Sequence, residues 1–238
     1  MMPDKSPQHI RGIFDTIAHR YDFLNHFLSF GLDRLWRRKT LRRLTLPADG
    51  EILDVCTGTA DFAIAYAKRC PGCRVTGIDF SPEMLRLGKK RVEKTGANIK
   101  TRINLMEGDA LNLPFAEDRF SLVSVSYGLR NTADAEKALS EMVRVCKPDG
   151  TVAIVEFSTP ACGFFSRLYR LYFRWILPRL GAWISGEKLG AYQYLHDSVQ
   201  EFSQGEKLAA LMEQTGLKNI RQFPMTFGAV TLSFGEKG

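Results

Sequence analysis

The sequence predicts an α/β fold of the doubly wound type, with a mostly parallel seven-stranded sheet and helices on both faces. Three observations support this. Apolar strand-like segments alternate with helix-like segments between residues 51 and 157, a pattern typical of a parallel sheet with right-handed crossovers. A turn of small residues follows the first strand, and acidic or hydroxyl side chains follow several strands. The whole chain, residues 1–238, is expected to form one domain.

The first strand–turn–helix unit is the most informative stretch. Residues 51–55 are mostly apolar, residues 57–60 are small, and residues 62–68 are strong helix formers. Small side chains let a ligand approach the backbone of such a turn, and the helix N-terminus offers free N–H groups. The second strand, residues 73–78, ends at Asp79. A carboxylate at that position is placed to accept hydrogen bonds from ribose hydroxyls.

Two nucleotide ligands fit this unit, NAD and S-adenosylmethionine (SAM). The NAD motif is G-x-G-x-x-G, but Cys56 and Asp61 replace its outer glycines if Gly58 is the central one. The acidic Asp54 before the turn suits an ammonium group better than a pyrophosphate. The pattern therefore favours SAM. The alternative is an α/β domain in which Gly58 only makes a turn.

The later elements follow in order. Ser81, Pro82 and Glu83 are typical of a helix start, and Gly96 is predicted to end that helix. The remaining predictions are strands at 101–106, 120–126 and 151–157, a helix at 133–146, a turn at 147–150, a helix at 205–215, and final strands at 217–223 and 227–234.

Ligand-capable side chains follow the third and fourth strands too. Asp109 is placed to accept from an adenine amino group, with Ala110 in contact with the ring, and Ser126 ends the fourth strand. Ligands in parallel sheets lie beyond the carboxyl ends of the strands. One binding rim is therefore predicted from Asp54, Asp79, Asp109 and Ser126.

Two helical additions are expected outside the alternating core. Residues 1–46 should form an N-terminal cover, in which residues 1–12 are a loose tail and residues 34–43 a basic, solvated face. Four polar residues of this cover are expected either to line a site or to face solvent: Tyr21, Asp22, Asn25 and His26.

Residues 160–200 form the second addition, a helical insertion after strand five. Arg167, Arg170 and Arg174 make a cationic stripe beside a wide aromatic face. This pattern fits a core helix, a lid, an interfacial helix or the wall of a site for a long apolar substrate.

Composition and charge restrict the cellular location and the kinds of binding partner that are expected. The net charge of +7 favours nucleic acid or an anionic membrane surface. No apolar run reaches the roughly 18 residues that a membrane span needs, and residues 1–12 lack the apolar core of a signal peptide. A cytoplasmic location is predicted.

Cysteine usage argues against both a disulfide framework and a metal site. The chain has five cysteines, an odd number. Cys70 and Cys73 form a C-x-x-C pair, but zinc would require two more ligands at suitable spacing. The pair is interpreted as incidental rather than redox-active.

These residues together resemble the ubiquinone/menaquinone biosynthesis C-methyltransferases along nearly the whole chain. The segments that carry the resemblance are residues 14–22, 54–61, 77–81, 126–131 and 192–198. The resemblance implies the class I SAM-dependent methyltransferase fold, which is Rossmann-like. It also implies SAM contacts at Thr59, Asp79, Asp109, Ala110 and Ser126. Two departures are Ala60, where the family usually has glycine, and residues 203–205, where a proline is usual.

The activity implied is methylation of a ring carbon on a polyprenylated hydroquinone, from demethylmenaquinol to menaquinol or on a ubiquinol precursor. Nucleic acid is not expected as a substrate. An adenine N6 enzyme would have an acid or amide followed by Pro-Pro-aromatic after the fourth strand, and a cytosine C5 enzyme would have a Pro-Cys nucleophile. This sequence contains neither motif. A small-molecule O- or N-methyltransferase shares every SAM contact and is the alternative. A non-enzymatic membrane adaptor is the third class.

The chemistry of the acceptor suggests further site residues. Only the reduced hydroquinone is electron-rich enough to attack, and its hydroxyl has a pKa of about 10. Arg130 follows the fourth strand and is predicted to stabilise a phenolate, unless it pairs with a neighbouring carboxylate. Tyr127 and Asn131 are predicted to orient the ring, and His196 or Asp197 to take the proton. The prenyl tail implies peripheral association with the inner face of an anionic membrane; the sequence leaves a monomer or a homodimer open.

Overall fold

A seven-stranded β-sheet lies at the centre of the computed structural model, which describes residues 7–160, 198–199, 201–202 and 204–238. The strands are β1 (Asp49–Val55), β2 (Gly72–Asp79), β3 (Ile103–Glu107), β4 (Phe120–Ser126), β5 (Cys146–Phe157), β6 (Leu217–Met225) and β7 (Val230–Lys237). Their order is β3-β2-β1-β4-β5-β7-β6. The first five are parallel, and β7 runs antiparallel between β5 and β6. The predicted fold class is confirmed.

Helices cover both faces of this sheet. They are α1 (Pro7–Leu28), α2 (Leu32–Arg43), α3 (Asp61–Arg69), α4 (Pro82–Glu93), α5 (Ala97–Lys100), α6 (Ala135–Val145) and α7 (Glu206–Gln214). Successive strand residues point to opposite faces. Ile52 therefore joins the buried cluster under α2, α3 and α4, while Leu53 joins the cluster under α6 and α7.

The start of α4 follows its sequence signal, but its end does not. The Ser81 hydroxyl accepts the Met84 N–H at 3.1 Å, with Pro82 as the first helical residue. The helix ends at Glu93, and Gly96 instead precedes the short helix α5. The prediction that Gly96 ends α4 is therefore wrong.

Strand β5 begins earlier than expected. Residues 147–150, predicted as a turn, belong to this strand. Asp149 has a φ of 58°, and the pairing with β4 shifts register between Phe120 and Leu122. A β-bulge of this kind accommodates residues that favour turns without ending the strand.

Cys70 and Cys73 are joined by a disulfide, with their Cα atoms 5.3 Å apart. Both residues are buried; Cys70 directly follows α3, and Cys73 is the second residue of β2. The Arg102 guanidinium donates to the carbonyls of Ala67, Cys70 and Cys73 at 2.8–3.0 Å. The sequence argument against disulfides fails at this pair because an even or odd count says nothing about two cysteines held side by side.

The N-terminal helices pack against the sheet domain through both apolar and polar contacts. α1 begins at Pro7, within the predicted tail, and the Ser81 hydroxyl of α4's cap donates to Asp15 at 2.5 Å. Residues 161–197 of the predicted insertion 160–200, including its stripe of Arg167, Arg170 and Arg174, lie outside the described residues. Among the helices that the structure describes, none combines the length and apolarity needed to cross a bilayer.

Candidate active site

A cleft opens at the carboxyl ends of β1, β2 and β4, beneath α1. Its empty volume is about 890 Å³, part of which is open to solvent. Seven of the predicted site residues line it: Gly58, Asp79, Asp109, Ala110, Ser126, Tyr127 and Asn131. Three of the four residues of the predicted rim, Asp79, Asp109 and Ser126, therefore line one concavity.

Asp79 is held at the floor of the cleft by two backbone amides. The Gly58 N–H donates to one carboxylate oxygen at 2.7 Å, and the Ser81 N–H donates to the other at 2.9 Å. Burial raises the pKa of Asp79 to about 6, although these amide bonds act to lower it. Each oxygen keeps a lone pair for a further donor, so the carboxylate is able to accept from two vicinal hydroxyls.

The turn at Gly58 leaves its backbone open. Gly58 has a φ of +55°, and a Cβ built there would meet nothing within 4 Å. A bare backbone facing a cleft allows a ligand to approach closely. This geometry agrees with the expectation from the small residues of the turn.

Ser126 contributes a buried polar atom on the opposite wall. Its Oγ is buried and has no hydrogen-bond partner among the described residues. A buried hydroxyl without a partner points to a ligand or water that completes it. Asp109, across from it, is exposed and accepts the Leu111 N–H at 2.9 Å. Together with Ala110, these side chains offer polar and apolar contacts for an adenosyl group.

Asp54 and Thr59 lie behind the turn, and neither lines the cleft. Asp54 is buried and accepts from the Thr57 hydroxyl at 2.7 Å and the Ser124 hydroxyl at 3.2 Å. Burial raises its pKa to about 7. In the structure the Asp54 carboxylate supports the turn from its buried side, and its contact with a ligand's ammonium group stays a prediction.

Thr59 has a similar supporting position. Its hydroxyl accepts from the Arg91 guanidinium at 2.9 Å, and Arg91 in turn pairs with Asp61. Asp61 also pairs with Arg37 of α2 at 2.6 Å. The Thr59 side chain thus connects the turn to an ion-pair cluster between α2, α3 and α4 rather than to the cleft.

Arg130 also departs from its predicted place. Its guanidinium pairs with Glu156 at 2.8 Å, with both side chains buried, and it also donates to the Tyr127 carbonyl. Arg130 is not among the residues that line the cleft. The alternative interpretation, a pair with a neighbouring carboxylate, is the one that the geometry favours. The long separation of Arg130 from Glu156 in sequence hides this pair from motif analysis.

The segment from Tyr127 to Asn131, which includes Arg130, nevertheless forms part of the cleft wall. Tyr127 has a φ of +60°, its N–H donates to the Val155 carbonyl at 2.7 Å, and its ring packs on Phe157 at 4.8 Å. The Asn131 amide donates to the Tyr127 carbonyl at 3.2 Å. This bend turns both Tyr127 and Asn131 toward the cleft.

The set of predicted site residues differs from the set of residues that line the cleft. His196 and the side chains of Tyr21 and Asp22 lie outside the described residues, and His26 bonds to Asp33 at 2.8 Å instead. The cleft residues that sequence analysis missed come from α1, α4 and the turns, and include Ile10, Arg11, Phe14, Cys56, Met84, Gly128 and Thr132. The four-residue spacing of Ile10 and Phe14 was the available signal.

Comparisons of the fold first define the class. A SAM-dependent methyltransferase from Thermotoga maritima superposes with a TM-score of 0.68 over 97% of this chain and all of that chain, at 18% identity. Haemonchus contortus phosphoethanolamine N-methyltransferase 2, solved in complex with SAM, gives a TM-score of 0.61 over 84% of this chain and 52% of its own, at 17% identity. The fold is that of the SAM-dependent methyltransferases.

The sequence comparisons then identify the family. The chain belongs to the ubiE/COQ5 methyltransferase family, whose model matches residues 2–237. It is 45% identical to the ubiquinone/menaquinone biosynthesis C-methyltransferase UbiE of Geotalea daltonii, over 96% of each chain. It is 42% identical to the demethylmenaquinone methyltransferase of Thermus thermophilus, over 94% of this chain and all of the relative. SAM is accordingly the methyl donor.

Proposed function

We propose that this enzyme transfers a methyl group from SAM to a ring carbon of a polyprenylated hydroquinone, converting demethylmenaquinol to menaquinol. The corresponding ubiquinol precursor is a second acceptor of the same chemical class. The observation that carries this proposal is the identity of 42–45% to relatives with these names over nearly the full chain. That match includes the segments on both sides of the cleft.

The donor half of the cleft fits SAM by its chemistry. When bound, SAM supplies an electrophilic methyl group. Asp79 is proposed to accept from both ribose hydroxyls, and the unpartnered Ser126 hydroxyl to bond the donor from the facing wall. Asp109 and Ala110 are proposed to hold the adenine ring, and the open Gly58 backbone to admit the rest of the donor.

The acceptor half must make a ring carbon nucleophilic. Loss of the hydroquinone hydroxyl proton, whose pKa is about 10, puts electron density on the adjacent carbon. That carbon then forms the new bond to the methyl group, the sulfur keeps the bonding pair, and the ring regains aromaticity by losing its proton. Tyr127 and Asn131 are proposed to orient the ring, with His196 as the proton acceptor.

Arg130 receives a different role from the one its sequence position suggests. Its guanidinium holds the Tyr127 carbonyl and the Glu156 carboxylate, so we assign it the positioning of the Tyr127–Asn131 bend. Positioning contributes to rate because small displacements of a bound acceptor are costly.

The test is a methyl-transfer assay with isotopically labelled SAM and demethylmenaquinol, with the oxidised quinone as control. The reduced acceptor should gain one labelled methyl group, and the quinone should gain none. C-methylation and O-methylation separate on re-oxidation, because a C-methylated hydroquinone returns to the quinone whereas an O-methyl ether does not. A product that resists re-oxidation would make the enzyme an O-methyltransferase.

Peripheral membrane association at the cytoplasmic face is part of the same proposal. A polyprenyl tail keeps the acceptor in the bilayer, so the enzyme has to visit its surface. The net charge of +7 supports this, because basic residues are attracted to anionic lipids.

A further inference from the structure

Helix α2 carries a row of arginines on its solvent face. Arg34, Arg38 and Arg42 follow one another at four-residue spacing, so they lie on one side of the helix. All three are exposed, and none of their side chains forms a hydrogen bond or ion pair within the part of the chain that the structure describes. The opposite side buries Trp36 and Thr40. The row therefore projects straight into solvent.

Two exposed phenylalanines precede this row at the end of α1. Phe23 is 58% exposed and Phe27 is 45% exposed, and their rings stack at 5.8 Å. The His26 ring bonds to Asp33 at 2.8 Å across the short turn that joins the two helices. Large apolar side chains rarely stay in water without a partner surface. Exposed phenyl rings and unpaired cations on two adjoining helices are typical of an interface with anionic lipid.

We propose that this corner is the surface by which the enzyme docks on an anionic bilayer. The surface is called the α1–α2 face and consists of Phe23, Phe27, Arg34, Arg38 and Arg42. The inference rests on the proposed function, which requires access to a bilayer-held acceptor. The arginines meet lipid phosphates, and the phenyl rings enter the boundary between headgroups and acyl chains. Phenyl rings also stack on unpaired bases, so the choice of lipid over nucleic acid rests on the bilayer-held acceptor of the proposed function.

The buried side of α2 connects this face to the cleft. The Trp36 ring meets Phe157 edge-on at 6.1 Å, and Phe157 packs on Tyr127 of the cleft at 4.8 Å. The Trp36 indole also donates to the Thr226 hydroxyl at 2.8 Å. One helix and two aromatic rings thus separate the arginine row from Tyr127. Docking by this face would therefore place Tyr127 one helix and two aromatic rings away from the lipid surface.

The experiment is co-sedimentation of the full chain with phosphatidylglycerol–phosphatidylcholine vesicles and with phosphatidylcholine vesicles. The variant Arg34→Gln/Arg38→Gln/Arg42→Gln should bind the anionic vesicles about a hundredfold more weakly, since each basic residue at such a surface contributes about fivefold. The matched control Lys89→Gln/Lys90→Gln/Lys94→Gln loses the same charge from exposed positions at the end of α4 and directly after it, and it should bind within about twofold of wild type.

A second variant tests the rings separately. Phe23→Ala/Phe27→Ala should weaken binding and make the remaining binding more sensitive to salt, because electrostatic attraction is then a larger share. The proposal is overturned if the arginine variant and the lysine control bind alike. It is also overturned if wild type binds uncharged vesicles equally well, or if single-stranded RNA displaces the vesicles from the α1–α2 face.

The failure of docking can be told apart from failure of the proposed function. Methyl transfer to a short-chain, water-dispersed demethylmenaquinol needs no bilayer. The arginine variant should keep wild-type turnover on that acceptor and lose turnover on the vesicle-held one. If wild type methylates neither acceptor, the proposed function fails, whatever the vesicles show.

Discussion

The Gly58 N–H donates to the Asp79 carboxylate at 2.7 Å. This bond joins the turn after β1 to the end of the neighbouring strand β2, which pairs with β1 in parallel register up to Val55 and Ile78. A second amide, from Ser81, fixes the other oxygen at 2.9 Å. The carboxylate is therefore oriented before any ligand arrives, which lowers the cost of binding.

Removal of the Asp79 carboxylate should weaken SAM binding at least about tenfold. Hydrogen bonds to a charged acceptor contribute about 1.5–3 kcal/mol each, and Asp79→Ala removes both. Isothermal calorimetry measures the affinity directly. Glu93→Gln, an exposed change on α4, is the control and should bind as wild type does. Equal affinity of Asp79→Ala and wild type would remove Asp79 from the site.

SAM affinity should also fall as the pH drops through about 6. The pKa of Asp79 is raised to about 6 by burial, so below that pH the carboxyl is protonated and loses acceptor strength. Calorimetry on either side of this pH should show the decline in wild type. In Asp79→Asn the decline should be absent, while the affinity stays low at every pH. A wild-type decline that persists in Asp79→Asn would belong to another group.

Asp54 should make the protein less stable as the pH rises from about 4 to about 7. Its folded-state pKa is raised to about 7 from 3.8 by burial, so the folded state binds the proton more tightly than the unfolded state does. Stability from this group is fully present below the unfolded pKa and is lost as pH rises through the folded pKa. Denaturant titrations should show this slope, and Asp54→Asn should flatten it. An unaltered slope in Asp54→Asn would contradict the assignment.

Local sequence pattern and chain direction were sufficient to predict which strand ends form the site. Strand ends carry Asp79 and Ser126 to one rim because parallel strands share an edge. It did not predict where Arg130 and Thr59 point. Their partners, Glu156 and Arg91, come from distant segments, and such pairs depend on side-chain directions that no local pattern encodes.

Arg130→Ala should destabilise the fold by about 3–5 kcal/mol, because it leaves the buried Glu156 carboxylate unpaired. Denaturant unfolding of Arg130→Ala, Glu156→Gln and the double variant forms a cycle in which the double change should cost less than the sum. Turnover should fall, and raising the pH should not restore it, because a positioning residue does not set the hydroxyl's pKa. Rescue at high pH would show that Arg130 acts on the phenolate directly.

The bond between Asp15 and Ser81 should slow the release of SAM. It fastens α1 to the start of α4 at 2.5 Å, and α1 supplies Ile10, Arg11 and Phe14 to the cleft. Asp15→Ala should therefore raise the Kd for SAM several-fold, mainly through faster dissociation. Stopped-flow competition measures that rate, at a pH well above the pKa of Asp79 so that the lost Asp15 charge does not change its ionisation. Thr16→Ala, which removes only a bond to the Gly12 carbonyl of α1 itself, should leave the rate unaltered. Equal dissociation rates in Asp15→Ala and wild type would mean that α1 covers the cleft without retaining the donor.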